Sequence, residues 1–229
     1  MTHDKKMKII FLGYREWALK SIDILCGHSA LTDYKIFTNH EEFISKFESG
    51  NYKDYIIIAI GWSWILRKDI TLSNLCLGVH PSDLPYYRGG SPLQNQILDG
   101  ITNTKLSLFQ LTHNLDEGDI YGKCELSLMG DSMSEIFKNL ELKTVSLVNK
   151  FFDAYPNVEI RKQKKIDLKT LNRRKASDSK IDFEDFNEEN LLNLYNKIRC
   201  LTDPYPNAFI EDKKGNKLFF ESIKFEKKD

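Results

Sequence analysis

Residues Tyr55–Ile60 read YIIIAI, an unbroken apolar run bounded by Asp54 and Gly61. Successive side chains on a strand point to opposite faces, so a run that is apolar at every position needs a sheet covered on both sides. Helices are the usual cover, and the preceding sequence offers them. Lys8–Gly13 (KIIFLG) is a short buried strand. Trp17, Ala18, Ile22 and Leu25 then recur at helical spacing, with Gly27 just beyond. Lys35–Thr38 reads as a short strand, and His40–Phe47 as a helix stopped by Gly50. Strand alternating with helix predicts an α/β fold around an open, mostly parallel sheet. In such sheets the working crevice lies beyond the carboxyl ends of the strands. That directs attention to Gly13–Glu16, to Gly61–Leu66 and to the residues after the next strand, Leu75–Val79.

Those residues, 80–92, read HPSDLPYYRGGSP, with three of the chain's six prolines and the pair Gly89-Gly90. Proline fixes φ and removes a donor while glycine admits positive φ, so this stretch is a shaped loop. Ser91-Pro92 has an N-cap residue followed by proline at the first helical position, predicting a helix over Leu93–Leu98. Lys105–Thr112 and Ile120–Leu128 read as strands joined by the loop His113–Asp119, paired antiparallel at the sheet edge. Ser132–Tyr155 is a long helix with a Ser132/Glu135 capping box and a buried stripe of Ile136, Leu140, Leu147, Phe151 and Tyr155. Beyond Pro156 the composition shifts: residues 161–175 hold eight Lys/Arg and one acid, and residues 182–189 hold five acids. The expected division is a core over 1–155 and a small C-terminal α+β piece over 156–229. That piece has a helix near Glu189–Cys200 and a hairpin about Lys214-Gly215.

Composition excludes several functions. The 229 residues carry 33 Lys+Arg against 33 Asp+Glu, a formal net charge of zero, which argues against coating nucleic acid or an anionic membrane. Mean hydropathy is −0.43, no apolar run approaches the roughly 20 residues of a membrane helix, and the N-terminus does not read as a secretory signal. Cys26, Cys76, Cys124 and Cys200 are scattered with no CxxC, so reduced thiols, no metal site and a cytoplasmic location are expected. GxGxxG is missing after the first strand, which disfavours a dehydrogenase.

His80, at a strand end with a stiff loop behind it, and Asp116, in the loop LDEGDI, form a candidate acid/base pair. Asp119 reads as a solvated turn residue. Taken together, HPSDLPYYRGGSPLQNQILDG and LFQLTHNLDEGDIY resemble the central motif of the formyltransferase family that uses 10-formyltetrahydrofolate. There a histidine opens a motif like HPSLLP-x-x-RG and an aspartate opens LD-x-GDI. KIIFLGYREWALKSIDIL, RKASDSKIDF and IRCLTDPYPNAF resemble further segments of that family, so the likeness spans most of residues 7–210.

The resemblance implies a Rossmann-like catalytic core and formyl transfer to an amine through a tetrahedral intermediate, with His80 stabilising the oxyanion and Asp116 as its acid/base partner. It departs at Gly78, where the family has an asparagine that serves as a further oxyanion donor. Loss of such a donor costs ~2.7–4 kcal/mol unless replaced. Ser63, Ser91, Asn95 or a water are candidates to fill the gap, and an impaired enzyme is the alternative. Asp83, where leucine is commoner, departs as well.

For the formyl donor the resemblance and the crevice together suggest Gly61, Trp62, Ser63, Ile65, Leu84, Leu115 and Asp119. For the acceptor they suggest Arg15, Tyr86, Tyr87, Arg88, Gly89 and Gly90, with Arg173 and Arg174 as further cations or merely a solvated linker. The sequence ends at Asp229, soon after YPNAF, and the further domain that helps hold tRNA in methionyl-tRNA formyltransferases is not expected here. GYREW after the first strand lacks the phosphate loop of glycinamide ribonucleotide formyltransferases. The branch most similar formylates nucleotide-linked amino deoxysugars, a small-molecule acceptor with no nucleic-acid partner; a homodimer is left open. A 10-formyltetrahydrofolate hydrolase, a glycinamide ribonucleotide formyltransferase and a non-catalytic folate or nucleotide-sugar binder stand as alternatives.

Overall fold

In the computed structural model, which describes residues 6–186 and 191–227, the run YIIIAI is a central strand, β3 (Tyr55–Ile60), buried along its whole length. Its neighbours are β1 (Met7–Leu12) and β4 (Cys76–His80), both parallel to it, and β2 (Leu31–Phe37) lies parallel beyond β1. β5 (Asn103–Gln110) pairs antiparallel with β4, and β6 (Ile120–Ser127) antiparallel with β5. The six-stranded order is β2-β1-β3-β4-β5-β6. The chain therefore reverses its direction of travel between β1 and β3, and a crevice opens at their carboxyl ends.

Alternation along the strands sends side chains into two apolar layers. Ile9, Phe11, Ile56, Ile58 and Ile60 face helices α1 (Glu16–Cys26) and α5 (Met133–Ala154). Ile10, Leu12, Ile57 and Ala59 face Phe37 and Phe43, the latter on helix α2 (His40–Ser49). The long helix begins as its sequence predicts, with the Ser132 hydroxyl accepting from the Glu135 N–H at 3.4 Å. The reciprocal half of the box differs: the Glu135 carboxylate accepts from Asp131 N–H rather than from Ser132.

Other differences have local causes. β2 starts at Leu31, earlier than its apolar residues indicate, because backbone pairing with β1 needs no hydrophobic pattern on a half-exposed edge. The short helix α3 (Lys68–Ser73) was not evident from sequence, since Ile70 is its one buried residue. α4 (Pro92–Leu98) starts at Pro92 as expected, but Ser91 adopts φ 52° and makes no cap bond. Its hydroxyl accepts from the Arg174 N–H instead.

In the C-terminal segment, α6 (Leu191–Arg199) and the hairpin β7 (Ala208–Glu211) with β8 (Lys217–Phe220) fall where expected. The start of the helix expected near Glu189 lies outside the described residues. Leu194, Ile198, Leu201 and Ala208 pack into the same apolar layer as α5. No helix among the described residues is long and apolar enough to cross a membrane.

Asp83 now has a physical role. Its carboxylate accepts from Lys123, which also donates to the Leu84 carbonyl, and lies 3.1 Å from the Lys105 ammonium. The shaped loop is thereby tied to β5 and β6, the two antiparallel strands. Burial would raise the Asp83 carboxyl, but the hydrogen bonds and charges of Lys123 and Lys105 outweigh it and hold the group below its ordinary 3.8. A carboxyl that titrates lower folded than unfolded contributes stability above its unfolded pKa and loses it as pH falls through the folded one. With Asp83 more than a third exposed, Asp83→Asn should cost roughly 1 kcal/mol at neutral pH. The loss should shrink on acidification, as urea unfolding across the acid limb would record; an equal loss at every pH would contradict the assignment.

Candidate active site

A cavity of about 610 Å³ opens at the carboxyl ends of β1, β3 and β4. His80, the last residue of β4, is 7% exposed, and its Nδ1 lies 3.6 Å from Asp116 Oδ2. That gap is too wide for a hydrogen bond. On the far side of the ring, Nε2 is 2.9 Å from the Tyr87 carbonyl oxygen. A carbonyl only accepts, so Nε2 carries a proton and Nδ1 is the nitrogen turned toward the carboxylate. Asp116 Oδ2 also accepts from the Gly89 N–H at 2.8 Å. Among the described residues, the non-glycine residues with positive φ are Tyr87, Ser91 and Asp116, all in the two loops that flank His80. Sparsely populated backbone of this kind gathers at functional sites, where the surrounding structure must hold it.

The loop from His80 is rigid for reasons beyond its prolines. A segment of the basic stretch crosses it: Gly90 N–H donates to the Leu171 carbonyl, Leu171 N–H to the Arg88 carbonyl. A Cβ on Gly89 would lie 2.3 Å from the Leu171 carbonyl oxygen, and one on Gly90 2.4 Å from the Arg173 nitrogen. The paired glycines are the seat of this strap. From the sequence they were expected to serve the acceptor; they do line the cavity, but backbone packing is what demands glycine.

One wall is aromatic. Trp62 and Trp64 lie 4.8 Å apart between ring centroids, Trp64 stacks on His40 at 5.6 Å, and Tyr14 meets Trp64 edge-on at 5.1 Å. All three tryptophans of the chain, Trp17 included, line the cavity, and the indole N–H groups of Trp17 and Trp62 are buried without a hydrogen-bond partner. Its charge is lopsided: Arg15, Arg173, Arg174 and Lys175 line it, with Asp116 the one carboxylate among the lining residues. The Arg15 guanidinium sits over the rings of Tyr14 and Tyr205, at 5.2 and 5.8 Å.

The candidate residues divide. Gly61, Trp62, Ser63, Ile65, Leu115, Arg15, Gly78 and Ser91 line the cavity with His80 and Asp116. Leu84 and Asp119 do not. Leu84 packs against Phe109 and Ile120, and Asp119 uses its carbonyl to accept from Gln110 N–H. Tyr86 and Tyr87 border a separate depression, with Asp83, Gln96 and Lys105, and the Tyr87 hydroxyl donates to Asp99. Arg88 turns to Glu117 and Gln163. Gln163, Leu171, Phe137, Leu140, Tyr205 and Pro206 carry no functional signal in the sequence: the strap reads there as a solvated basic run, and YPNAF only as part of a family likeness.

The groups considered for the gap at Gly78 are engaged. Ser63 Oγ is bonded to the Tyr14 hydroxyl and accepts from Arg173, and the Asn95 amide donates to the Gly90 carbonyl. Ser91 accepts from Arg174 and keeps its own O–H to donate. The space beside Gly78 is apolar: a Cβ there would lie 2.7 Å from Leu111 Cδ2 and 3.0 Å from Phe109 Cε1. Gly78→Asn is therefore expected to cost roughly 1–3 kcal/mol by overpacking and to slow turnover. Adding Leu111→Ala should recover part of both. Faster turnover by Gly78→Asn alone would mean that Leu111 yields and the donor position is vacant.

Comparison with known proteins gives this arrangement its family. The formyl transferase profile matches residues 30–145, which is half of the chain. A methionyl-tRNA formyltransferase from Campylobacter curvus is 31% identical over 159 residues, 69% of this chain and 50% of that protein. The structure of methionyl-tRNA formyltransferase from Clostridium thermocellum superposes with a TM-score of 0.77 at 30% identity, over 96% of this chain and 100% of that one. A sugar N-formyltransferase from Shewanella shares the fold, with a TM-score of 0.70 at 15% identity over 96% of this chain and 99% of that one. The chain belongs to the formyl transferase family. It spans about half the length of the curated relatives it matches.

Proposed function

We propose that this chain transfers a formyl group from 10-formyltetrahydrofolate to the amine of a nucleotide-linked amino deoxysugar. The observation that carries the reading is the His80–Asp116 pair at the base of one cavity that has an aromatic wall and a surplus of cations. The donor supplies an activated one-carbon group. The cavity fits it in size and lining: ligand pockets run roughly 300–1,000 Å³, and the buried, unpartnered Trp62 N–H beside Trp64 suits a flat heteroaromatic ring with polar edges. The cations fit an acceptor that carries phosphate.

Within this reading each residue acts through its position. His80 Nε2–H is engaged by the Tyr87 carbonyl, so the imidazole is fixed in the plane and Nδ1 is the atom available to the reacting group. Protonated there, His80 donates to a developing oxyanion; the Ser91 O–H, in the lining of the same cavity, is the candidate second donor. Asp116, anchored by the Gly89 N–H, accepts the proton that the attacking amine must lose, and that proton goes to the folate nitrogen that leaves as the oxyanion collapses and the old carbon–nitrogen bond breaks.

A tRNA acceptor is the second reading, favoured by the likeness to the Clostridium thermocellum methionyl-tRNA formyltransferase. Because every tryptophan lines the cavity, intrinsic fluorescence reports on its occupants. Titrations with tetrahydrofolate, followed by a nucleotide-linked amino deoxysugar or by methionyl-tRNA, separate the two readings. The expected result is quenching by tetrahydrofolate and saturable binding of the sugar nucleotide. Tighter binding of methionyl-tRNA would reverse the assignment of the acceptor.

A further inference from the structure

Asp116 is held from two sides, and the second hold comes from outside both loops. Its carboxylate is fixed by the Gly89 N–H. Its backbone stands at φ 54°, a left-handed conformation that costs an ordinary residue ~1–2 kcal/mol and persists only when something maintains it. The side-chain amide of Gln163, on the basic stretch beyond Pro156, bonds to this turn. Its Nε2 donates to the Asp116 carbonyl at 2.9 Å and to the Gly118 carbonyl at 2.7 Å. Its Oε1 accepts from the Arg88 guanidinium at 2.8 Å. Two acceptors on one side and a donor on the other define which end of the amide is nitrogen, and both Nε2 protons are used. Arg88 also reaches Glu117 at 3.3 Å, so one amide knits LDEGD to the loop that starts at His80.

We propose that Gln163 is the positioning residue of this site: by gripping the carbonyls of Asp116 and Gly118 and holding Arg88, it sets the distance from the Asp116 carboxylate to His80. The proposal rests on the formyl-transfer reading for its kinetic consequence but not for its geometry. Among the described residues Gln163 has no hydrogen bond to His80 or to the Asp116 carboxylate, so it acts through the backbone of Asp116 and Gly118 and through the Arg88 side chain. A glutamate of equal length keeps an acceptor for Arg88 but turns an oxygen toward two carbonyls. A leucine removes every bond.

The test is Gln163→Leu and Gln163→Glu in the full chain, read two ways. By NMR, the Gly89 amide and the His80 imidazole resonances of both variants should move toward those of Asp116→Ala, with the thermal unfolding temperature lowered by several degrees for the bonds lost. By kinetics, kcat should fall ~10–100-fold, as small misplacements of a reacting group do, with KM for donor and acceptor nearly unchanged. In an Asp116→Ala background, Gln163→Leu should cost nothing further. Unmoved Gly89 and His80 resonances would overturn the proposal. So would a rise in KM alone, the same fold-loss in both backgrounds, or a Gln163→Glu variant that behaves as the native chain. If the native chain transfers no formyl group, the functional reading fails while the resonances still decide the role of Gln163.

Discussion

Asp116→Asn and His80→Gln are expected to lower formyl transfer by ~10²-fold or more each, the contribution typical of a positioned acid or base. Asp116→Asn retains an oxygen for the Gly89 N–H and so leaves the loop anchored while the charge beside His80 is lost. His80→Gln keeps a donor within reach of the Tyr87 carbonyl, which His80→Ala would leave unpaired in a buried place. Both variants should therefore unfold close to the native temperature and bind tetrahydrofolate as the native chain does. Because the proposed mechanism has these two neighbouring groups act on one centre, the double variant should lose much less than the product of the single losses. Near-native turnover in either single variant would remove that residue from the chemistry. An equal loss of stability and of turnover would reassign it to the scaffold.

The second large effect is structural. Gly118→Ala places a Cβ 1.8 Å from the Gln110 carbonyl oxygen, at the point where the loop presses on the end of β5. Backbone cannot turn aside as a side-chain tip does. Gln110 N–H is itself bonded to the Asp119 carbonyl at 2.8 Å, so relief of the clash opens that bond. The expected cost is about 3 kcal/mol or more, which for a chain of this size lowers the melting temperature by roughly 6–12 °C. Turnover should fall as well, because Gly118 is one of the two carbonyls that Gln163 grips beside Asp116. Gly100→Ala is the contrast: its Cβ meets nothing within 4 Å, so only the strain of φ 77° is at stake. A Gly118→Ala chain as stable as Gly100→Ala would mean that the loop sits farther from β5.

These contacts mark how far the sequence was legible. YIIIAI declared a strand buried on both faces, and it is one. Apolar periodicity gave α1 and α5, and the loop between Thr112 and Ile120 gave the antiparallel edge. Sheet order was not legible, because side-chain alternation says which face is buried and nothing of which strand lies alongside. α3 escaped because a six-residue helix with one buried side chain has no period to detect.

At the site, His80 and Asp116 stood out by position and by resemblance, and the fold brings them to 3.6 Å. The strap did not stand out. Arg161–Lys175 carries charge along an irregular path, and its contacts with Gly89, Gly90 and Ser91 are made largely by backbone, which leaves no mark in composition. For the same reason Gly89-Gly90 reads from sequence as part of the acceptor site and Ser91 as a helix cap. Asp83, unexplained from sequence, needed the two lysines that β5 and β6 bring to it.

The most direct measurement tracks the formyl group itself. 10-Formyltetrahydrofolate labelled at the formyl carbon is incubated with the protein and a panel of nucleotide-linked 3-amino and 4-amino deoxysugars, methionyl-tRNA and glycinamide ribonucleotide, and products are resolved by mass spectrometry. Label is expected in an amide on one sugar nucleotide and is expected to be lost in Asp116→Asn. Label released only as formate, or found only on tRNA or on glycinamide ribonucleotide, would contradict the proposed function.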